Sequence, residues 1–145
     1  MGGACIAALA GALVAQYVYD MRPCPWCILQ RVIYILIALL CLLAAAAPAL
    51  RKAFAAVVLV FAGLGVASAV YQHVIAAKQF SCNLTLADKI ITALGLETLM
   101  PALFQVTASC AEAAVSMLGV PFEYWSLALF VLLAAAALFV LKAGR

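Results

Sequence analysis

Four apolar runs divide the chain, at residues 4–19, 26–47, 53–76 and 122–141. A helix needs about 20 apolar residues to cross the hydrocarbon layer, and the runs match that length closely enough to predict four spans. The first is slightly short but closes on Tyr17 and Tyr19, which suit an interfacial aromatic belt. The second stops at Pro48, and the third carries Gly63 and Gly65, where a neighbouring helix can approach closely, before it closes on Tyr71, Gln72 and His73. Tyr124 and Trp125 open the fourth. The polar links are short at 20–25 and around Arg51 and Lys52, and long at 77–121. Within the long link Leu86, Ile90, Ile91, Leu94 and Leu99 recur at helical spacing with Asp88, Lys89 and Glu97 between them. That pattern predicts a short amphipathic helix on the bilayer surface over Leu86 to Leu99, ended or kinked at Pro101.

Composition agrees with the periodicity. Of 145 residues 71% are hydrophobic and 9% charged, with mean hydropathy +1.28, far outside the range of a soluble domain. The expected fold class is an all-α membrane protein, a four-transmembrane-helix bundle forming a single domain over 1–145, with no room for a separate soluble domain. A cleaved signal peptide at the first run is disfavoured: no basic region precedes it and no small-x-small cleavage site follows. The net charge of +3 would point to anionic partners in a soluble protein, whereas here its distribution reads as topology. Arg51 and Lys52, with Lys142 and Arg145, mark one side of the membrane; Asp20, Asp88, Glu97, Glu112 and Glu123, every acid in the chain, fall on the other. The Lys/Arg bias predicts both termini in the cytoplasm and the links at 20–25 and 77–121 outside.

The chemistry gathers at Cys24-Pro25-Trp26-Cys27-Ile28-Leu29-Gln30-Arg31. Cys24 suits an N-cap and Pro25 the first helical position, so Cys27 falls in the first turn. Both sulfurs then sit at the positive end of a helix, where a thiolate, the nucleophilic form, is stabilised. Arg31 follows Cys27 by four residues and shares its face, about 6 Å along the axis. At bilayer depth an arginine costs about 2.5 to 3.5 kcal/mol even on the lenient insertion scale, so it needs a compensating partner unless it snorkels to the interface. Cys82 and Cys110 lie in the long link, which places four of the six cysteines on the oxidising side. Zinc ligation is the competing use of a Cys-x-x-Cys, but Cys82 and Cys110 lack the close spacing of a knuckle, and no metal is expected. A purely structural bridge between Cys82 and Cys110, worth about 3 to 4 kcal/mol on the chain-entropy model, is a further alternative. Cys5 and Cys41 read as inert thiols within apolar runs.

With these residues in hand the chain resembles the DsbB family of bacterial inner-membrane thiol oxidases over nearly its whole length. The resemblance is carried by the four spans, Cys24-x-x-Cys27-x-x-x-Arg31 at the head of the second, His73 at the end of the third and the cysteines of the second outer link. Cys110-Ala111-Glu112, Leu118-Gly119 and Trp125 add to it. It implies a thiol:quinone oxidoreductase in which Cys82 is attacked by a reduced DsbA-like periplasmic dithiol protein. Cys110 would be the partner of Cys82 in the resting disulfide. Electrons would pass by exchange to Cys24 and Cys27, with Cys24 the contact to Cys110 and Cys27 facing ubiquinone or menaquinone, and Arg31 and His73 would line the quinone site.

The physics is consistent with those roles. Two thiols deliver the two electrons and two protons that a quinone requires, Arg31 can stabilise charge at a quinone carbonyl, and His73 can shuttle a proton. Two rival readings stand beside this one. A vitamin K epoxide reductase-like protein also couples cysteine pairs to a quinone, but carries its membrane-proximal Cys-x-x-Cys late in the chain. A non-catalytic membrane scaffold would hold its disulfides unchanged. Nucleic acid is not an expected partner; the membrane and its quinone pool are.

Overall fold

The computed structural model describes residues 1–78, 85–109, 111–112 and 116–143. The chain is an all-α membrane protein. Three helices, α2 (Pro25–Ala46), α3 (Arg51–Val74) and α7 (Phe122–Lys142), are long and apolar enough to cross a membrane, and α1 (Gly2–Val18) is a shorter apolar helix. Leu39, Leu42, Val60, Leu132 and Phe139 point outward, each more than half exposed, whereas Ile37, Val58, Ala62 and Phe130 are buried between helices. Apolar residues all round a helix are what a lipid-facing bundle requires, since the outer face meets hydrocarbon instead of water.

Packing follows from side-chain size. α3 lies against both α2 and α7, and α1 lies against α2. A buried cluster of Cys5, Ile33, Tyr34, Ile37, Val58, Ala62, Phe130 and Leu133 fills the centre. Within it the rings of Tyr34 and Phe130 stack in parallel at 4.3 Å. Of the two glycines read as points of close approach, Gly65 takes that role, because a Cβ there would overlap the Phe130 ring; at Gly63 a Cβ would meet open space. Cys5 is fully buried in this cluster with Cys41 packed against it, consistent with their reading as small apolar side chains.

The four apolar helices start and stop within a few residues of the limits of the apolar runs, with one difference of substance. Arg51 and Lys52 are not in a loop but in the first turn of α3. Pro48 starts a 3-10 turn over Pro48–Leu50 that runs straight into that helix, so the link after α2 contracts to a single turn. Met1, Ala45, Arg51 and Val140 line one shared cavity, so the start of α1, the end of α2, the start of α3 and the end of α7 meet at one end of the molecule.

At the opposite end the expected surface helix is broken in two, α4 (Leu86–Ala93) and α5 (Leu96–Leu99). Gly95 adopts φ +64 and its N–H bonds to Thr92 O, the left-handed stop that glycine favours. Thr85 and Asp88 cap the start of α4 reciprocally. Its apolar face is divided: Ala87 and Ile91 are buried against the protein, Ile91 in a cluster with Ile28 and Phe104, whereas Leu86, Leu94 and Leu99 face outward. Pro101 begins a further turn, α6 (Pro101–Phe104). A small antiparallel ribbon, β1 (Ser116–Met117) and β2 (Val120–Pro121), leads into α7 and was not anticipated from the sequence. Its turn residues Leu118 and Gly119 both have positive φ, the twist that two-residue hairpins favour.

The contrast between the glycines supplies a test. Gly65→Ala is expected to lower stability in detergent by about 1 to 3 kcal/mol, because Phe130 has to leave its stack on Tyr34. Gly63→Ala is expected to leave the thermal midpoint within about 1 °C, on the order of a few tenths of a kcal/mol.

Candidate functional site

The head of α2 is built as the spacing predicts. Cys24 is the N-cap in extended backbone (φ −90°, ψ 169°), and Pro25 occupies the first turn, where its missing N–H costs nothing. The Cys24 sulfur accepts the Cys27 N–H at 3.4 Å and stands 3.1 Å from Cys27 Sγ. The two sulfurs nevertheless face different surroundings. Cys24 is fully buried beside Trp26, Ala76 and Ala87, and Cys27 is half-buried in the wall of a cavity.

Behind Cys27 runs a row of polar side chains drawn from α2, α3 and α7. Gln72 Nε2 donates to Cys27 Sγ at 3.3 Å, Gln30 Nε2 donates to Gln72 Oε1 at 2.7 Å, and Ser126 Oγ donates to Gln30 Oε1 at 2.6 Å. Tyr34 OH lies 2.9 Å from Ser126 Oγ. Because the single Ser126 proton is committed to Gln30, Tyr34 OH is the donor, its proton shared between Ser126 Oγ and the Ser126 backbone O at 3.2 Å, and the side-chain bonds of the row point the same way. The row ends on sulfur. Aligned donors in a low-dielectric interior strengthen one another, and a donor aimed at Cys27 favours thiolate over thiol.

Arg31 does not snorkel. It is 6% exposed, and its guanidinium donates to Gln16 Oε1 and Leu103 O, both at 2.8 Å, and to Ala12 O at 3.5 Å. Among the described residues no carboxylate pairs with it. The cation thereby ties α2 to α1 and to the segment after α5. That segment is held twice more, by Tyr17 OH donating to Ala102 O at 2.6 Å and Thr107 N–H donating to Pro23 O at 3.2 Å.

Cys27, Gln30, Arg31, Gln72 and Glu123 share the wall of one cavity of about 310 Å³, closed on other sides by small and apolar residues of α1 and α7. That volume falls at the low end of the roughly 300–1,000 Å³ range of small-molecule sites, and an apolar enclosure with a few convergent polar groups is their usual character. His73 is not in the wall. Its Nδ1 lies 2.7 Å from Glu123 Oε1 and its Nε2 3.0 Å from Tyr124 OH, so it reaches the cavity through Glu123. Cys82 and Cys110 lie outside the described residues. Among the described residues no three His, Cys, Asp or Glu side chains cluster as metal ligands.

A thiol pair at the head of a membrane helix, with aligned donors behind it and a ligand-sized cavity beside it, defines a multi-pass membrane dithiol protein. Comparison with known proteins narrows the class. The family model "Disulfide bond formation protein DsbB" matches residues 1–140, and the chain belongs to that family. It is 38% identical to Disulfide bond formation protein B 1 of Pseudomonas syringae pv. syringae (strain B728a), over 92% of this chain and 81% of that protein. It is 35% identical to the protein of the same name from Pseudomonas entomophila (strain L48), over 91% and 80%, and 33% identical to Disulfide bond formation protein B of Burkholderia pseudomallei (strain 1106a), over 90% and 79%.

Sequence reasoning placed Cys24, Cys27 and Arg31 but gave no role to Gln16, Gln30, Tyr34, Gln72 or Ser126. The signal was available: a polar side chain inside an apolar helix turns inward to find partners. Glu123 was read only as a marker of the outer side, and it proves to be buried. Loss of the donor at Cys27 is directly measurable. In Gln72→Leu the rate of iodoacetamide alkylation at Cys27, read by mass spectrometry at neutral pH, is expected to fall about five- to tenfold, the equivalent of one hydrogen bond of about 1 to 1.5 kcal/mol.

Proposed function

We propose that the protein is a thiol:quinone oxidoreductase of the bacterial inner membrane that reoxidises a DsbA-like periplasmic dithiol protein. The observation that carries this reading is that Cys27 and Arg31 line the same cavity. In this reading α1, α2, α3 and α7 form a four-helix transmembrane bundle. Both termini lie in the cytoplasm, since Arg51, Lys52 and Lys142 gather at the end where α2 stops and α3 starts. The Cys24–Cys27 pair then opens on the periplasmic side.

The cavity residues fit a quinone ring. Apolar and small side chains of α1 and α7 enclose a flat ring, and Arg31 keeps donor capacity, because its three bonds to protein oxygens use three of five N–H groups. A bound quinone supplies a sink for two electrons and two protons. Cys27, favoured as thiolate by the Gln72 donor, presents the electron-rich sulfur to the cavity, and Arg31 orients a carbonyl oxygen and stabilises charge that develops on it. On the periplasmic side, thiol–disulfide exchange passes through mixed disulfides, first between the partner and Cys82, then between Cys110 and Cys24. Each exchange conserves electrons: a dithiol is oxidised as a disulfide is reduced, until Cys24 and Cys27 hold the pair.

Purified protein in lipid nanodiscs is expected to oxidise a reduced DsbA-like dithiol only when ubiquinone or menaquinone is present, with Cys24→Ser and Cys27→Ser each abolishing turnover. If instead the disulfides stayed unchanged under both quinol and reduced dithiol, the protein would be a scaffold. Arg31→Lys keeps the charge but loses the planar fork, and is expected to raise KM for quinone about tenfold, equivalent to about 1.4 kcal/mol.

A further inference from the structure

The disulfide relay makes no use of Glu123, although this carboxyl is 5% exposed and lines the same cavity as Cys27 and Arg31. Its Oε1 lies 2.7 Å from His73 Nδ1. The His73 side chain is 39% exposed, and its far nitrogen lies 3.0 Å from the hydroxyl of Tyr124, itself an exposed residue. A continuous hydrogen-bonded row therefore leads from the cavity wall to the outer surface where α7 begins. We propose that Glu123, His73 and Tyr124 form a proton path, in which Glu123 delivers a proton to the electron acceptor in the cavity and His73 resupplies Glu123 from outside. This rests on the quinone reading above.

The proton balance calls for such a path. Oxidation of the Cys24–Cys27 dithiol to a disulfide releases two electrons and two protons, and a quinone takes up both pairs to become a quinol. A sulfur that reacts as thiolate has already given its proton to water, so an equivalent proton must return to the acceptor by another route. The proton lost at Cys27 is replaced through Glu123, and the Cys24 proton, released as the disulfide closes, balances the second that the quinol carries. Imidazole suits the relay because it accepts at one nitrogen while it donates at the other.

The competing role is structural, since the same bond joins α3 to α7 and a carboxylate is favoured at a helix start. A distinguishing readout is needed. Dicyclohexylcarbodiimide modifies membrane-embedded carboxyls in their protonated form. Labelling of the wild-type protein in nanodiscs, mapped by mass spectrometry, is expected at Glu123 and is expected to be suppressed by a short-chain quinone analogue. The other ionisable side chains sharing the cavity wall are Arg22, Cys27, Arg31 and Tyr34, while α1 contributes only alanine, glycine and leucine; reading the mass at Glu123 separates its modification from theirs. No labelling at Glu123, or labelling that the analogue leaves unchanged, would overturn the proposal.

Glu123→Gln keeps a hydrogen-bond partner for His73 but carries no exchangeable acid proton. Its kcat is expected to fall at least about tenfold with KM for quinone within twofold, on the low side of the usual contribution of general acid catalysis. Should that variant not accumulate, His73→Asn, whose amide can still donate to Glu123, is expected to show the same split. Quinone-dependent turnover in the wild type with an unaltered kcat in the variant sinks the proton path alone. Absence of quinone-dependent turnover in the wild type removes the functional reading and the path with it.

Discussion

Hydrocarbon offers no hydrogen bonds, so the polar side chains along α2 turn to protein partners, Trp26 Nε1 being the buried side-chain donor without one among the described residues, and this constraint orders the site. Tyr34, Ser126, Gln30 and Gln72 meet it as a row in which each donates to the next: the Ser126 hydroxyl proton goes to Gln30, and Tyr34 donates to Ser126, at its Oγ and its backbone O. A row with one direction has one terminus. Here that terminus is the Cys27 sulfur, at the positive end of a helix. Interhelical packing and thiol activation are thus one arrangement: the bonds that join α2, α3 and α7 also set the polarity felt by the sulfur.

Arg31 illustrates the same constraint with a charge. Insertion at depth costs about 2.5 to 3.5 kcal/mol on the lenient scale, and bonds from a charged donor contribute roughly 1.5 to 3 kcal/mol each. Two short bonds, to Gln16 and Leu103, offset the cost without a counter-ion. A carboxylate partner would have neutralised the cation; carbonyl and amide oxygens leave its field intact within the cavity. The bond to Leu103 also fixes the segment between α5 and α7 over the link at 19–25, so the placement of the outer segments depends on a residue of the membrane interior.

The long apolar helices and the head of α2 were legible because each rests on a local rule: length of an apolar run, and N-cap chemistry with proline at the first turn. What stayed hidden depends on tertiary register. Gln30 and Gln72 are 42 positions apart, and no periodicity reveals that they meet at 2.7 Å. The break at Gly95 was written in the sequence, since glycine is the residue that stops a helix in the left-handed conformation, but a continuous apolar pattern over Leu86–Leu99 masked it. The division of that pattern between a protein-facing Ile91 and outward leucines required knowing that α4 packs on α2. Glu123 shows the limit of topology rules: the side of the membrane was read from its charge, its burial was not.

The two sulfurs of the pair touch, yet helical geometry gives them different neighbours. As N-cap, Cys24 still belongs to extended backbone and packs with Ala76 and Ala87, which lie before and after Cys82 in the chain. Cys27, three residues on, has turned with the helix into the cavity wall. On the proposed function, electrons then arrive at one sulfur and depart from the other across 3.1 Å, without movement of α2. Two cysteines at other spacings would lose one half of this. Adjacent cysteines would point apart, and a pair four apart within the helix interior would bring both sulfurs to one face, with neither left at the cap to meet the outer segment. On that proposal, a spacing of three that straddles the helix start is what would let one short motif serve a partner in water and an acceptor in lipid.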